Sequence, residues 1–108
     1  MADITITLKP PRDGVRELVV DPTSYYAESG EDVHWELRGE DAAFFTLIFP
    51  RGSPFEDDEV HSDSKMQAQK RVNAAAPKRF HYYVAVADSD AENPDIFLIA
   101  GCPEIIIR

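Results

Sequence analysis

Apolar residues in this chain alternate with polar ones at period two much more often than they recur at the spacing of a helix. The clearest example is the segment Glu31–Arg38, in which Val33, Trp35 and Leu37 share one face. Such alternation is typical of strands that bury one face only. The same pattern predicts further strands at Asp3–Lys9, Arg16–Val20, Ser24–Ala27, Ile96–Ala100 and Pro103–Arg108.

Two segments are apolar on both faces and are predicted to be strands inside a sheet. Phe44–Phe49 is apolar at nearly every position and is stopped by Pro50. Its aromatic and β-branched content favours a central strand over a buried helix. Apolar residues also occupy both faces of the segment from Phe80 to Ala87. We therefore expect that strand to be covered on much of both sides.

The segments between these strands are rich in turn formers and charge. Arg51–Ser64 is interpreted as a long surface loop, and Asp88–Asp95 as a polar loop. Ser64–Arg71 has good helix formers after a serine, whereas Gln67–Ala74 also suits a strand. We predict a short helical turn that leads into that strand.

The number and spacing of these segments predict the fold class. Eight or nine short strands with frequent turn signals favour an all-β, two-sheet Greek-key sandwich of about eight strands. A chain of 108 residues fits one such domain, spanning 1–108.

Trp35 is expected in the core between the sheets, facing Tyr82 or Val84. Ile105 and Ile107 should share one face of the last strand, and Ile106 the other.

Several segments resemble cupredoxin-like domains. In Val19–Leu37 a proline, a Gly-acid turn and a Val-x-Trp strand follow one another, and the matching residues are Pro22, Gly30, Val33 and Trp35. FHYYVAV is similar to the aromatic-rich penultimate strand of that family, and PEIIIR to its last strand. An immunoglobulin-like sandwich is the alternative, because it uses the same residue types for the same packing reasons.

In that family two histidines and a cysteine thiolate bind copper, together with a weak axial sulfur. This chain has Phe44 or Phe45 where the first histidine is expected, and Val84 where the cysteine is expected. The loop DSDAENPD, which follows the aromatic strand, has neither histidine nor methionine. The resemblance therefore implies a cupredoxin-like domain without copper, and we expect no other cofactor.

Net charge restricts the possible partners. Twenty Asp and Glu residues outnumber 11 Lys and Arg residues, which gives a net charge of −9. This charge repels phosphate backbones and anionic lipids, so we expect neither nucleic acid nor a membrane as partner. The start of the chain has no secretory signal pattern, and the single cysteine cannot form an internal disulfide. These features predict a cytoplasmic protein.

The densest run of charge marks a candidate binding segment. It consists of Glu56, Asp57, Asp58 and Glu59. One interpretation is a solvated loop that keeps the protein soluble. The other is a surface that docks a basic protein partner.

No nucleophile elbow, phosphate-binding loop or zinc motif is present. The leading hypothesis is a non-catalytic binding or protein-interaction domain, either a monomer or a weak homodimer. The alternative is a metal-binding or redox protein that uses Cys102 with a histidine. A weak surface metal site at His34, His81 and Glu36 would require their strands to be neighbours.

Overall fold

The computed structural model describes residues 2–74, 77–88, 96–98 and 103–108. These residues form strands, turns and loops, and no helix among them is long and apolar enough to cross a membrane. The predicted all-β class is confirmed. The strands are β1 Ile4–Leu8, β2 Leu18–Asp21, β3 Ser24–Ala27, β4 Asp32–Arg38, β5 Ala42–Ile48, β6 Glu59–His61, β7 Gln67–Arg71, β8 Lys78–His81, β9 Tyr83–Asp88, β10 Ile96–Leu98 and β11 Glu104–Ile107.

The first sheet has the order β2-β1-β4-β7. β1 runs parallel to β4, whereas the other two pairings are antiparallel. The alternation in the sequence determines which side chains are buried, because successive residues of a strand point to opposite faces. Ile4 and Ile6 on β1 and Val33 and Trp35 on β4 are all fully buried.

The chain crosses between sheets at two places. The second sheet has the order β10-β9-β5-β6, and the third has the order β3-β11-β8. Asp21–Pro22 ends β2 at the edge of the first sheet, and the chain continues as β3 in the third. Prolines are expected at such edges, because they cannot donate to a ladder.

The second crossing divides the segment that was predicted to be one strand from Phe80 to Ala87. The Tyr82 N–H donates to the Pro103 carbonyl at 3.0 Å, whereas from Tyr83 onward the chain pairs with β5. β9 lies inside its sheet, as expected, but β8 is an edge strand among the strands that the structure describes. The prediction of one continuous strand was wrong, because the segment has hydrogen-bonding partners in two sheets.

Two further predictions were wrong between β5 and β7. The expected loop Arg51–Ser64 contains the strand β6, because Val60 is buried and pairs with Leu47. The expected helical turn in Ser64–Arg71 is a tight turn closed by Asp63. Its carboxylate accepts the N–H groups of Lys65 and Gln67 at 2.8 and 3.0 Å. β7 therefore begins directly at Gln67.

One hydrophobic core lies between the first sheet and the other two. Trp35 makes edge contacts with Phe55 and Tyr82, at ring-centroid distances of 5.5 and 6.5 Å. The predicted contact of Trp35 with Tyr82 is confirmed. Ile105 and Ile107 are also buried in this core, while Ile106 points to the other face and is half-buried.

Tyr82 yields a prediction about stability at high pH. Burial raises the pKa of its hydroxyl to about 12 from 10.0, with the nearby Trp35 N–H opposing the shift. Neither the Tyr82 hydroxyl nor Trp35 Nε1 has a hydrogen-bond partner among the described residues. Above pH 10 the unfolded chain therefore loses the phenolic proton before the folded chain does. Between pH 10 and the folded pKa, ionisation of this one group should lower the free energy of unfolding of the wild type by about 1.4 kcal/mol per pH unit.

Tyr82→Phe removes the ionisation and should flatten that part of the curve. Urea unfolding of both proteins from pH 8 to 12 measures the difference. The variant should be about as stable as the wild type at pH 8, since it deletes an unpaired buried hydroxyl. Parallel curves for the two proteins would contradict the buried, neutral state of Tyr82.

Candidate functional site

The predicted acidic segment Glu56–Glu59 lies on the surface where the chain enters β6. The residue before it, Phe55, is buried and contacts Trp35 through an edge-on arrangement of the rings. Phe55 also contacts Phe49, with ring centroids 5.7 Å apart. The aromatic core therefore fixes the base of the acidic segment.

Asp57 and Asp58 hold the turn in shape. The Asp58 carboxylate accepts the Ser53 N–H at 3.2 Å, and its carbonyl accepts the Phe49 N–H at 2.9 Å. The Asp57 carboxylate lies 3.1 Å from Lys70 Nζ. These two predicted site residues therefore have structural partners within the chain.

Glu56 and Glu59 are the more accessible acids of the segment. Glu56 is exposed and has no hydrogen-bond or ion-pair partner in the described part of the chain. Glu59 lies 3.4 Å from His61 Nε2, and both side chains are more than 60% exposed. Either glutamate can meet a cation from another molecule without breaking the turn.

The outward-facing side of the second sheet exposes four large apolar side chains, in two groups separated by the row Thr46–Ala85. We call it the outer apolar face, and its large members Phe44, Ile48, Tyr83 and Ile96 are 51, 37, 50 and 57% exposed. Ile48 pairs with Tyr83 on one side and with Glu59 on the other. The register therefore places Glu59, the last residue of the acidic segment, directly at the border of this face.

A second row of the same face crosses β10, β9 and β5. Ala87 is paired with Ile96 on one side and Phe44 on the other, so two large side chains flank a small one. Next to this row, the Arg16 guanidinium lies 5.4 Å from the centroid of the Phe97 ring and hydrogen-bonds to the Asp41 carboxylate. These contacts connect β10 to the rest of the fold.

The sequence did not reveal this face. The Phe80–Ala87 segment was expected to be covered on much of both sides, but its outward residue Tyr83 is 50% exposed, and only its inward residues, such as Val84, are buried in the core. The expectation was wrong because an apolar run looks the same whether its second face is covered or open. The one signal available was the lack of charged residues at the outward positions.

The three histidines lie in three different sheets, on β4, β6 and β8. His34 is paired with Gln69 and His81 with Glu104, so the neighbouring strands required for a His34–His81 site are absent. Among the described residues, no three His, Cys, Asp or Glu side chains form a group that could hold a metal. Cys102 lies outside the described residues, and its proposed role stays a prediction.

Ser24, Glu104 and His81 come together on the third sheet. The Ser24 hydroxyl donates to Glu104 Oε1 at 2.9 Å, and His81 Nε2 lies 3.7 Å from Glu104 Oε2. Arg79 Nε lies 3.3 Å from the same carboxylate oxygen. A serine nucleophile requires a hydrogen bond to the imidazole that removes its proton. Here the hydroxyl is bonded to the acid, so the group serves to satisfy a buried carboxylate.

Comparison with known proteins gives no match to a protein-family model or to a curated protein.

The contacts of the acidic segment predict which of its residues stabilise the fold and which do not. Asp58→Ala should lower the free energy of unfolding by about 1 kcal/mol, because it removes a hydrogen bond that closes the turn. Glu56→Ala should change it by less than about 0.5 kcal/mol, because it removes no contact. Chemical unfolding followed by Trp35 fluorescence measures both. Equal losses in the two variants would contradict the structural role of Asp58.

Proposed function

We propose that this chain is a non-catalytic protein-interaction domain, cupredoxin-like and without copper. The observation that carries the proposal is the outer apolar face, in which four large apolar side chains are exposed on one sheet. Several large apolar side chains exposed on one sheet face are typical of interaction sites, whereas single exposed apolar residues are common everywhere.

The chemistry of the face and its border defines the partner that fits it. Phe44 and Tyr83 are half-exposed aromatic residues, and aromatic side chains carry much of the binding energy in protein interfaces. Glu59 pairs with Ile48 at the border of the outer apolar face, a position that suits the rim of an interface, and Glu56 lies three residues before it on the surface. A partner with an apolar patch bordered by Lys or Arg is complementary to both features.

The strand pairing supports the cupredoxin-like alternative over the immunoglobulin-like one. An immunoglobulin sandwich consists of two antiparallel sheets. In this chain β1 and β4 are parallel within the first sheet. Val84, which matches the expected cysteine position, is fully buried among apolar side chains, and this supports a domain that uses that position for packing. Of the two residues at the expected histidine position, Phe45 is buried and Phe44 is 51% exposed.

The proposal is tested with two tyrosine variants that are matched in exposure. Tyr83→Lys places a charge in the outer apolar face, and Tyr26→Lys places it on the third sheet at a residue of similar exposure, 52% against 50%. A partner that binds the outer apolar face should be recovered with the wild type and with Tyr26→Lys. Its recovery with Tyr83→Lys should fall by roughly tenfold or more, as expected for loss of an aromatic anchor.

Quantitative affinity purification with the three proteins as bait makes the comparison, with thermal unfolding to confirm that both variants fold. Association of the recovered partner should also weaken at high salt if Glu56 and Glu59 form the rim. A set of partners that is identical for Tyr83→Lys and Tyr26→Lys would contradict the proposal.

A further inference from the structure

The strand β8 is an edge strand whose backbone is paired on one side only within the described residues. The Tyr82 N–H donates to the Pro103 carbonyl across the β11 side. In an antiparallel ladder, alternate residues direct their backbone groups to the same neighbour, so those of Phe80 also point to β11. The N–H and C=O groups of Arg79 and His81 therefore point away from the sheet, to the free edge.

Open space lies along this edge. A cleft of about 430 Å³ is lined by every residue from Lys78 to Tyr83 and by Pro50, Arg51 and Gly52. Consecutive side chains of a strand point to opposite faces. A cleft that contacts all of them in sequence must run along the edge of the strand. The edge of β8 that faces away from β11 therefore borders this cleft.

The cleft is positively charged in a protein whose net charge is −9. Arg51 and Lys78 line it and have no carboxylate partner among the described residues. The Lys78 ammonium lies instead 5.2 Å from the centroid of the Phe80 ring. Six of the 11 Lys and Arg residues do pair with a carboxylate, including Arg79 in the same cleft. Two unpaired cations on one cleft leave it able to receive carboxylates from another molecule.

We propose that the free edge of β8 binds an extended acidic peptide segment of another protein, which adds to the third sheet as a further strand. The backbone groups of Arg79 and His81 hydrogen-bond to the peptide main chain, as in other cases of strand addition. Arg51 and Lys78 bind its carboxylates.

Charge on the edge determines which strand can pair with it. A second copy that paired β8 with β8 would bring Lys and Arg side chains against one another, and like charges on facing strands are destabilising. An acidic segment meets no such repulsion at the edge. This site uses a different sheet from the outer apolar face and meets it only at Tyr83, so either proposal can fail without the other.

The first test uses two synthetic hexapeptides, the acidic Glu-Val-Glu-Thr-Glu-Val and the basic Lys-Val-Lys-Thr-Lys-Val. Amide NMR spectra of the full chain should show saturable shifts at Arg79 and His81 with the acidic peptide only. Exchange of these two amide protons with solvent should slow by roughly tenfold or more at saturation, because they become hydrogen-bonded. Unchanged exchange at both amides would overturn the proposal, as would equal binding of the basic peptide.

Free glutamate at the same carboxylate concentration separates strand addition from binding of a small anion. The proposal predicts that glutamate leaves the exchange of the Arg79 and His81 amides unchanged. Protection of these amides by glutamate equal to that by the peptide would contradict it in favour of a simple anion site.

Matched charge variants test the role of the two unpaired cations. Arg51→Glu with Lys78→Glu should weaken binding of the acidic peptide by roughly tenfold or more, because attraction becomes repulsion at contact distance. Arg12→Glu with Lys65→Glu changes the net charge by the same amount at exposed positions that do not line the cleft. The control should bind like the wild type after allowance for long-range repulsion. Equal weakening by both double variants would overturn the assignment of the carboxylate site.

A backbone variant tests the hydrogen bonds. Arg79→Pro and Arg79→Ala both remove the ion pair with Glu104, but only proline also removes the N–H group at the edge. Proline is tolerated at the free side of edge strands. Arg79→Pro should bind the peptide several-fold more weakly than Arg79→Ala. Equal affinities would contradict a main-chain hydrogen bond from residue 79.

Discussion

The burial of Trp35 is the constraint on which the rest of the structure depends. Its indole is fully buried and contacts Phe55 and Tyr82 through edge-on rings. A buried aromatic residue of this size contributes several kcal/mol, so the elements that contact it are held firmly. Phe55 fixes the turn that carries the acidic segment, and Tyr82 fixes the point where the chain passes from the third sheet to the second.

The crossing at Tyr82 explains why the two proposed binding surfaces lie close together. Before it, the chain forms the edge strand β8, whose free backbone groups border a basic cleft. After it, Tyr83 begins β9 and points to the outer apolar face. One surface offers cations and main-chain hydrogen bonds, and the other offers aromatic side chains with an acidic rim. The two surfaces therefore suit partners of opposite charge.

Regular alternation made part of the fold predictable. The buried residues of β1 and β4 could be identified because polar and apolar positions alternate without interruption, and the alternation itself is what buries one face. Trp35 could be assigned to the core for the same reason. β6 could not be predicted from three residues, since its formation depends on the pairing of Val60 with Leu47.

The candidate sites could not be predicted from any one segment, because they depend on contacts between residues that are far apart in the sequence. The division at Tyr82 follows from hydrogen-bonding partners that lie far along the chain, Pro103 on one side and β5 on the other. The acidic segment was visible as a run of charge, but the different roles of Asp58 and Glu56 follow from the position of Ser53. The packing of one sheet against another determines which face of β5 is buried, and the sequence of β5 alone does not show this.

At the crossing between the sheets, the chain turns Tyr82 into the core and Tyr83 to solvent. Hydroxyl-radical footprinting with tandem mass spectrometry measures the two adjacent side chains in one experiment. Tyr83, which is 50% exposed, should be oxidised rapidly, whereas Tyr82, at 1%, should be protected until the protein unfolds. Equal oxidation of the two residues in the native protein, or faster oxidation of Tyr82, would contradict the account.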